Sequence, residues 1–207
     1  MNGVEDKKRK QRSDKKKDVK PYLTLETISS LNRLTYLTDV YLKDLAEEMI
    51  LYAIKDYDTI SQLSQYFKKE ILINNTIYRG RIDNPQISKR ENEDTDRIST
   101  RLKADDYEVI RALAYAMDVS RARVCALLIK ASMNNINFVN NYVKQHLSKS
   151  LTEHQMRELR NLLRTANKDS DGEHYSWGAL LSQIMDEVKT PVGRIKDAVN
   201  MFISRRK

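Results

Sequence analysis

The sequence predicts a mainly α-helical protein with two units of one short strand plus two helices, followed by a C-terminal helical domain. Three observations carry this. Only 5 Gly and 3 Pro occur in 207 residues, too few chain-breakers for a sandwich or barrel. Apolar residues recur at helical spacing through most of the chain. The order strand, helix, break, helix occurs twice, and a shift of 79 residues superposes the two copies without a gap.

Charge marks out the termini. The net charge is +8, but residues 1–20 hold nine Lys/Arg against four acids, and residues 205–207 are Arg-Arg-Lys. The 184 residues between are balanced, with 25 bases and 25 acids. Residues 1–17 have almost no apolar side chains to offset the entropy of ordering, so they read as a disordered basic arm. Such an arm can track phosphates or simply keep the chain soluble. No apolar core of a secretory signal follows it, and no apolar run reaches the ~18 residues of a membrane span. A cytoplasmic protein with no membrane partner is expected.

Residues 18–73 are expected to hold the first unit plus an extra helix. Asp18 to Leu25 alternates apolar and polar side chains, as a half-buried strand does. Ile28, Leu31 and Leu34 then mark a helix interrupted at Thr38-Asp39. Leu45, Ala46, Met49, Ile50 and Ala53 form the stripe of a second helix, running to about Lys55. Asp58-Thr59 can cap a third, with Ile60, Leu63, Phe67 and Ile71 on one side. Asn74-Asn75, Gly80, Asn84-Pro85 and the charged run from Lys89 to Asp94 make 74–95 a linker.

Residues 96–133 are the second unit. Ile98, Thr100 and Leu102 alternate with Arg97, Ser99 and Arg101. Asp105 and Glu108 have the spacing of a capping pattern, and Tyr107, Ile110, Ala114 and Met117 line the helix that follows. Asp118-Val119-Ser120 breaks it, and Ser120 caps the next helix, with Val124, Leu127, Leu128 and Ala131 inward. The shift of 79 lays Leu23 on Leu102, Leu34 on Leu113, Asp39 on Asp118 and Tyr41 on Ser120. A shift of 82 also fits the helices, but 79 keeps strand and helices in one register.

The stretch DRISTRLKADDYEVIRALAYAMDVSRARVCALLIKA resembles the ribbon-helix-helix family of DNA-binding proteins. It has the short Arg/Ser strand, a closing Leu, an apolar helix, a Val-Ser break and a second helix. Residues 18–55 match less fully. The resemblance implies that two strands pair antiparallel and lie in the major groove, which at about 12 Å admits a ribbon. On that reading Arg97, Ser99 and Arg101, with Lys20 and Tyr22 of the first strand, read base edges. Ser120, Arg121, Arg123 and Lys103 anchor phosphates, since a helix N-terminus seats an anion. The alternatives are a solvated strand edge and ordinary surface arginines. Residues 21–57 carry three bases and six acids, against seven and four in 97–130, and Tyr41 replaces Ser120. A cap in the first unit must then come from Thr38 or Asp39, and no family-like phosphate seat is expected there.

Residues 134–207 are expected to be helical, over 135–147, 152–166, 176–188 and 191–204. Thr190-Pro191 is a sound helix start. Asn167-x-Asp169-x-Asp171-Gly172 mimics half a calcium loop, but position twelve is Gly178, where a Glu is required. These helices suit packing, oligomerisation or a protein partner.

The chain shows no Ser/His/Asp or Cys/His arrangement, no phosphate-binding glycine loop and no metal-ligand cluster. An enzyme, a cofactor and a metal site are therefore not expected. One Cys excludes an internal disulfide. The expected partner is double-stranded DNA, bound by a transcriptional repressor or a plasmid or phage maintenance factor. A relaxosome or partition accessory protein, or an antitoxin-like adaptor, is the alternative. One strand cannot make a ribbon, so the units pair within one chain as a pseudo-dimer, or second unit pairs with second unit in a homodimer.

Overall fold

A computed structural model describes residues 16–88, 94–168 and 195–204, with part of 176–183. Most of the basic arm, residues 89–93 of the linker, most of the calcium-loop mimic and Thr190-Pro191 lie outside the described residues.

The first strand is divided at Pro21 into β1 (Lys17–Val19) and β2 (Tyr22–Thr24), and α1 (Leu25–Thr38) and α2 (Leu42–Ala53) follow. The second unit repeats the order, with β5 (Thr95–Arg97), β6 (Thr100–Leu102), α4 (Ala104–Met117) and α5 (Arg121–Asn134). Between them lie α3 (Tyr57–Ser64) and a hairpin of β3 (Ile71–Ile73) and β4 (Thr76–Tyr78). Then come α6 (Ile136–Ser150), α7 (Glu153–Lys168) and α8 (Ile195–Ser204). The molecule is mostly helical, with small antiparallel strand pairs.

The shift of 79 residues carries α1 onto α4 end for end. It also lays Asp39 on Asp118, each the left-handed C-cap of its helix at φ 54°. Aspartate tolerates that conformation better than most side chains. A shift of 82 would break both coincidences.

The strands of the two units pair with each other. β1 lies antiparallel to β6, with Lys17 opposite Leu102 and Val19 opposite Thr100. β2 lies antiparallel to β5, with Tyr22 opposite Arg97 and Thr24 opposite Thr95. Both pairings share one register, so they form one ribbon. Its continuity through the gap is carried by the Ile98 N–H, which donates to the Pro21 carbonyl at 3.2 Å. Pro21 has no N–H to return, which is why the regular ladder lapses there. The same register puts Lys20 opposite Ser99, the two residues that the repeat superposes. The centre of the ribbon is thus a local two-fold.

The ribbon has a dry and a wet face. Val19, Leu23, Ile98 and Leu102 are buried on the inner face, over α2 and α5. Burying one such side chain is worth about 1.5–3 kcal/mol. Thr100 is also buried, and its hydroxyl is satisfied by donating to the Lys43 carbonyl at 3.1 Å. Below the ribbon α2 and α5 pack more extensively than any other two helices. There Ser132 donates from its buried hydroxyl to the Met49 carbonyl at 2.8 Å, tying one unit to the other.

Several local expectations are corrected. The capping pattern of Asp105 and Glu108 lies inside α4, whose N-cap is Lys103, without a side-chain cap bond. Helix α2 takes its cap from neither Thr38 nor Asp39. Thr38 donates back to the Leu34 carbonyl, Asp39 closes α1, and the cap position is Tyr41, with no side-chain bond. The third helix is capped by Asp56, which accepts from the Thr59 N–H at 3.1 Å. It stops at Ser64, and Ile71 sits on a strand. The stretch expected to be linker from residue 74 begins as the turn and second strand of a hairpin. Asn74 and Asn75 both take positive φ, as a two-residue hairpin turn demands.

Segment 80–84 is fastened to residues 67–69. Asn84 donates from its side chain to the Phe67 carbonyl at 2.8 Å, and Arg81 donates its N–H to the same oxygen at 2.9 Å. Gly80 passes so close that a Cβ would lie 2.3–2.5 Å from the Lys69 backbone. Gly80→Ala is therefore expected to cost about 1–3 kcal/mol, measured as a lower denaturant midpoint at unchanged slope.

The C-terminal helices cover the flank of the repeat. α6 packs on α1 and α5, and α7 and α8 pack on each other. Thr152 and Gln155 form a reciprocal capping box at the start of α7, with bonds of 2.8 and 3.3 Å. Leu180, Ala198, Val199 and Phe202 are buried.

Candidate nucleic-acid interface

Strand alternation decides which side chains leave the core. On the ribbon the outward positions are Asp18, Lys20 and Tyr22 on one strand and Arg97, Ser99 and Arg101 on the other, all exposed. All five residues expected to read bases are brought to one surface from two strands 79 residues apart in the sequence. Pairs facing each other across that surface fall at non-hydrogen-bonded sites, because the ladder bonds run through the inward residues. Side chains at such sites approach closely.

Two couples result. Arg101 donates from Nε to the Asp18 carboxylate at 2.9 Å. Arg97 lies over the ring of Tyr22, 4.6 Å from its centroid, a cation–π contact. Lys20 and Ser99 sit between the couples at the centre. The face thus offers three cations, one carboxylate, a phenol and a hydroxyl. It is polar and positive, within a protein body that is neutral overall.

The expected phosphate anchors are divided by the structure. Ser120 is the N-cap of α5, accepting from the Arg123 N–H at 3.2 Å. Arg121 lies 5.4 Å from the centroid of Tyr107, and Lys17 lies 4.6 Å from the same centroid. The first turn of α5 therefore has cations around it where its dipole would otherwise favour acids. Lys17 also meets Glu108 at 3.3 Å, which tempers the charge. Arg123 is drawn elsewhere, donating to the Ser88 carbonyl at 3.2 Å. Lys103 stands exposed at the end of the ribbon as the N-cap of α4. In the first unit the positions matching Arg121 and Arg123 are Leu42 and Asp44, and Lys43 lies over Tyr41 at 5.3 Å. The two ends of the ribbon differ in charge.

Two contributors escaped the sequence reading, Asp18 and Tyr107. Asp18 was recoverable, because pairing about Lys20 and Ser99 puts residue 18 opposite residue 101. Tyr107 carried no such signal, since its helical spacing reads only as core.

Among the described residues, no three His, Cys, Asp or Glu side chains are grouped to hold a metal ion. No helix among them is long and apolar enough to cross a membrane. Cys125 is buried in α5, and burial pushes its thiol up to about 12. It is expected to resist alkylation in the native protein at pH 8 and to react fully once the chain is unfolded. Compared with protein-family models, curated proteins and solved structures, the chain matches none.

Proposed function

We propose that the protein binds double-stranded DNA sequence-specifically, as a tandem ribbon-helix-helix protein that lays its ribbon in the major groove. The observation that carries this is the gathering of Lys20, Tyr22, Arg97, Ser99 and Arg101 on the outward face of one antiparallel ribbon. Arg pairs bidentately with guanine O6 and N7, and Ser donates or accepts as the base requires. A ribbon with a buried inner face and a polar outer face is the shape a major groove admits. The cations at the start of α5 support a phosphate contact beside one end of the ribbon.

On this reading one chain acts as a pseudo-dimer. Its two halves differ, so the bound sequence is non-palindromic. The basic arm adds sequence-independent attraction. The biological role is that of a repressor or a plasmid or phage maintenance factor.

The test is selection of bound duplexes from a random library by the intact protein, followed by titration at several salt concentrations. Expected are a unique, non-palindromic sequence and binding that weakens steeply with salt. Recovery of random sequences at every salt concentration would overturn the proposal.

A further inference from the structure

We propose that Asp18 is a specificity-determining residue of the ribbon, one that presents Arg101 to a guanine and rejects acceptor-edged bases beside it. This rests on the DNA-binding reading above. The local two-fold makes Asp18 the counterpart of Arg97, and Tyr22 the counterpart of Arg101. The outward couples Asp18–Arg101 and Tyr22–Arg97 therefore stand at equal distances from the centre, yet they differ in chemistry. One arginine is held by a carboxylate and the other by a ring.

The geometry of the first couple is suited to reading. Asp18 engages the Nε of Arg101, and that bond uses neither terminal nitrogen of the guanidinium, the pair that a guanine edge would take. The side chains are 49% and 68% exposed, so neither is locked under other atoms. A guanidinium oriented in this way loses less freedom on meeting a guanine.

The carboxylate has a second effect. Ionised, it only accepts hydrogen bonds. Beside the guanine it therefore tolerates cytosine N4 or adenine N6, which donate, and opposes thymine O4 and guanine O6. It also opposes phosphates, so misplaced DNA is penalised. At the other end the carboxylate beside Arg97 is that of Asp96, which accepts from the Arg97 backbone N–H at 2.6 Å and so is turned to the chain, while the guanidinium lies over Tyr22. Asp18 thereby sets which way round the chain sits on its site.

The experiment uses the intact protein, the duplex it selects, and that duplex with each base pair exchanged in turn. Asp18→Ala is expected to lower discrimination about tenfold at the guanine read by Arg101 and at its neighbour. Preferences at the other end should stay unchanged, and binding to unrelated duplex should tighten. Matching thermal unfolding of wild type and variant shows that the fold is kept, as an exposed site predicts. Without DNA, the Arg101 Nε–H resonance should exchange more slowly with water in wild type than in Asp18→Ala. Equal exchange rates would overturn the proposal directly. So would a variant whose preference matches wild type at every position, which leaves DNA binding itself standing. If the intact protein binds no duplex, the DNA-binding reading falls and takes this role with it.

Discussion

Leu102→Ala is expected to cost about 2–5 kcal/mol of stability and to abolish the DNA binding proposed for the ribbon. Leu102 is fully buried at the end of β6, opposite Lys17 of β1. It lies where the ribbon meets α2. Truncation removes apolar contact and leaves a space that the two units can close only by shifting against each other. The ribbon is three-residue strands joined across a proline, with little pairing energy of its own. It holds its shape because α2 and α5 support it. Leu102 is thus predicted to affect both folding and binding. The check is a denaturant midpoint together with a binding titration at a temperature where the variant is still folded.

Arg101→Ala should separate the two. Its side chain is exposed, so the unfolding midpoint should stay within about 0.5 kcal/mol of wild type. Binding to the selected duplex should fall by about 1–3 kcal/mol, some 5- to 150-fold. Binding to unrelated duplex should weaken much less, because only one cation is lost. Equal losses on both duplexes would show that Arg101 contributes charge and not recognition.

Sequence carried the architecture because the repeat is written in apolar residues. Leu31, Leu34, Leu45, Ile110, Leu113 and Val124 are all buried, as their spacing predicts. The outward ribbon residues were readable for a similar reason: alternation is a property of one strand. Other features depend on neighbours distant in sequence. Asn74-Asn75 reads equally as linker or hairpin turn until Ile71 and Tyr78 are known to pair. The capping pattern at Asp105 and Glu108 reads as a helix start, but β6 ends at Leu102 and α4 already starts at Ala104. The attachment of Arg123 to Ser88 joins residues 35 apart, and no local signal announces it. Asp18 lies between the two cases. It opens the expected strand of the first unit, but only the ribbon register sets it opposite Arg101.

The central claim is that one chain supplies both strands of the ribbon. Oxidative cross-linking of cysteines at its centre tests this most directly. Lys20 and Ser99 face each other at a non-hydrogen-bonded site, where Cα atoms lie about 4.5 Å apart, within reach of a disulfide. Cys125 is buried and can stay in place. The Lys20→Cys, Ser99→Cys double variant should oxidise to a disulfide within one chain, keeping the mass of a single chain. Pairing of second unit with second unit would instead put Ser99 opposite Ser99 of another copy. Efficient cross-linking of the Ser99→Cys single variant into a two-chain species would therefore contradict the claim.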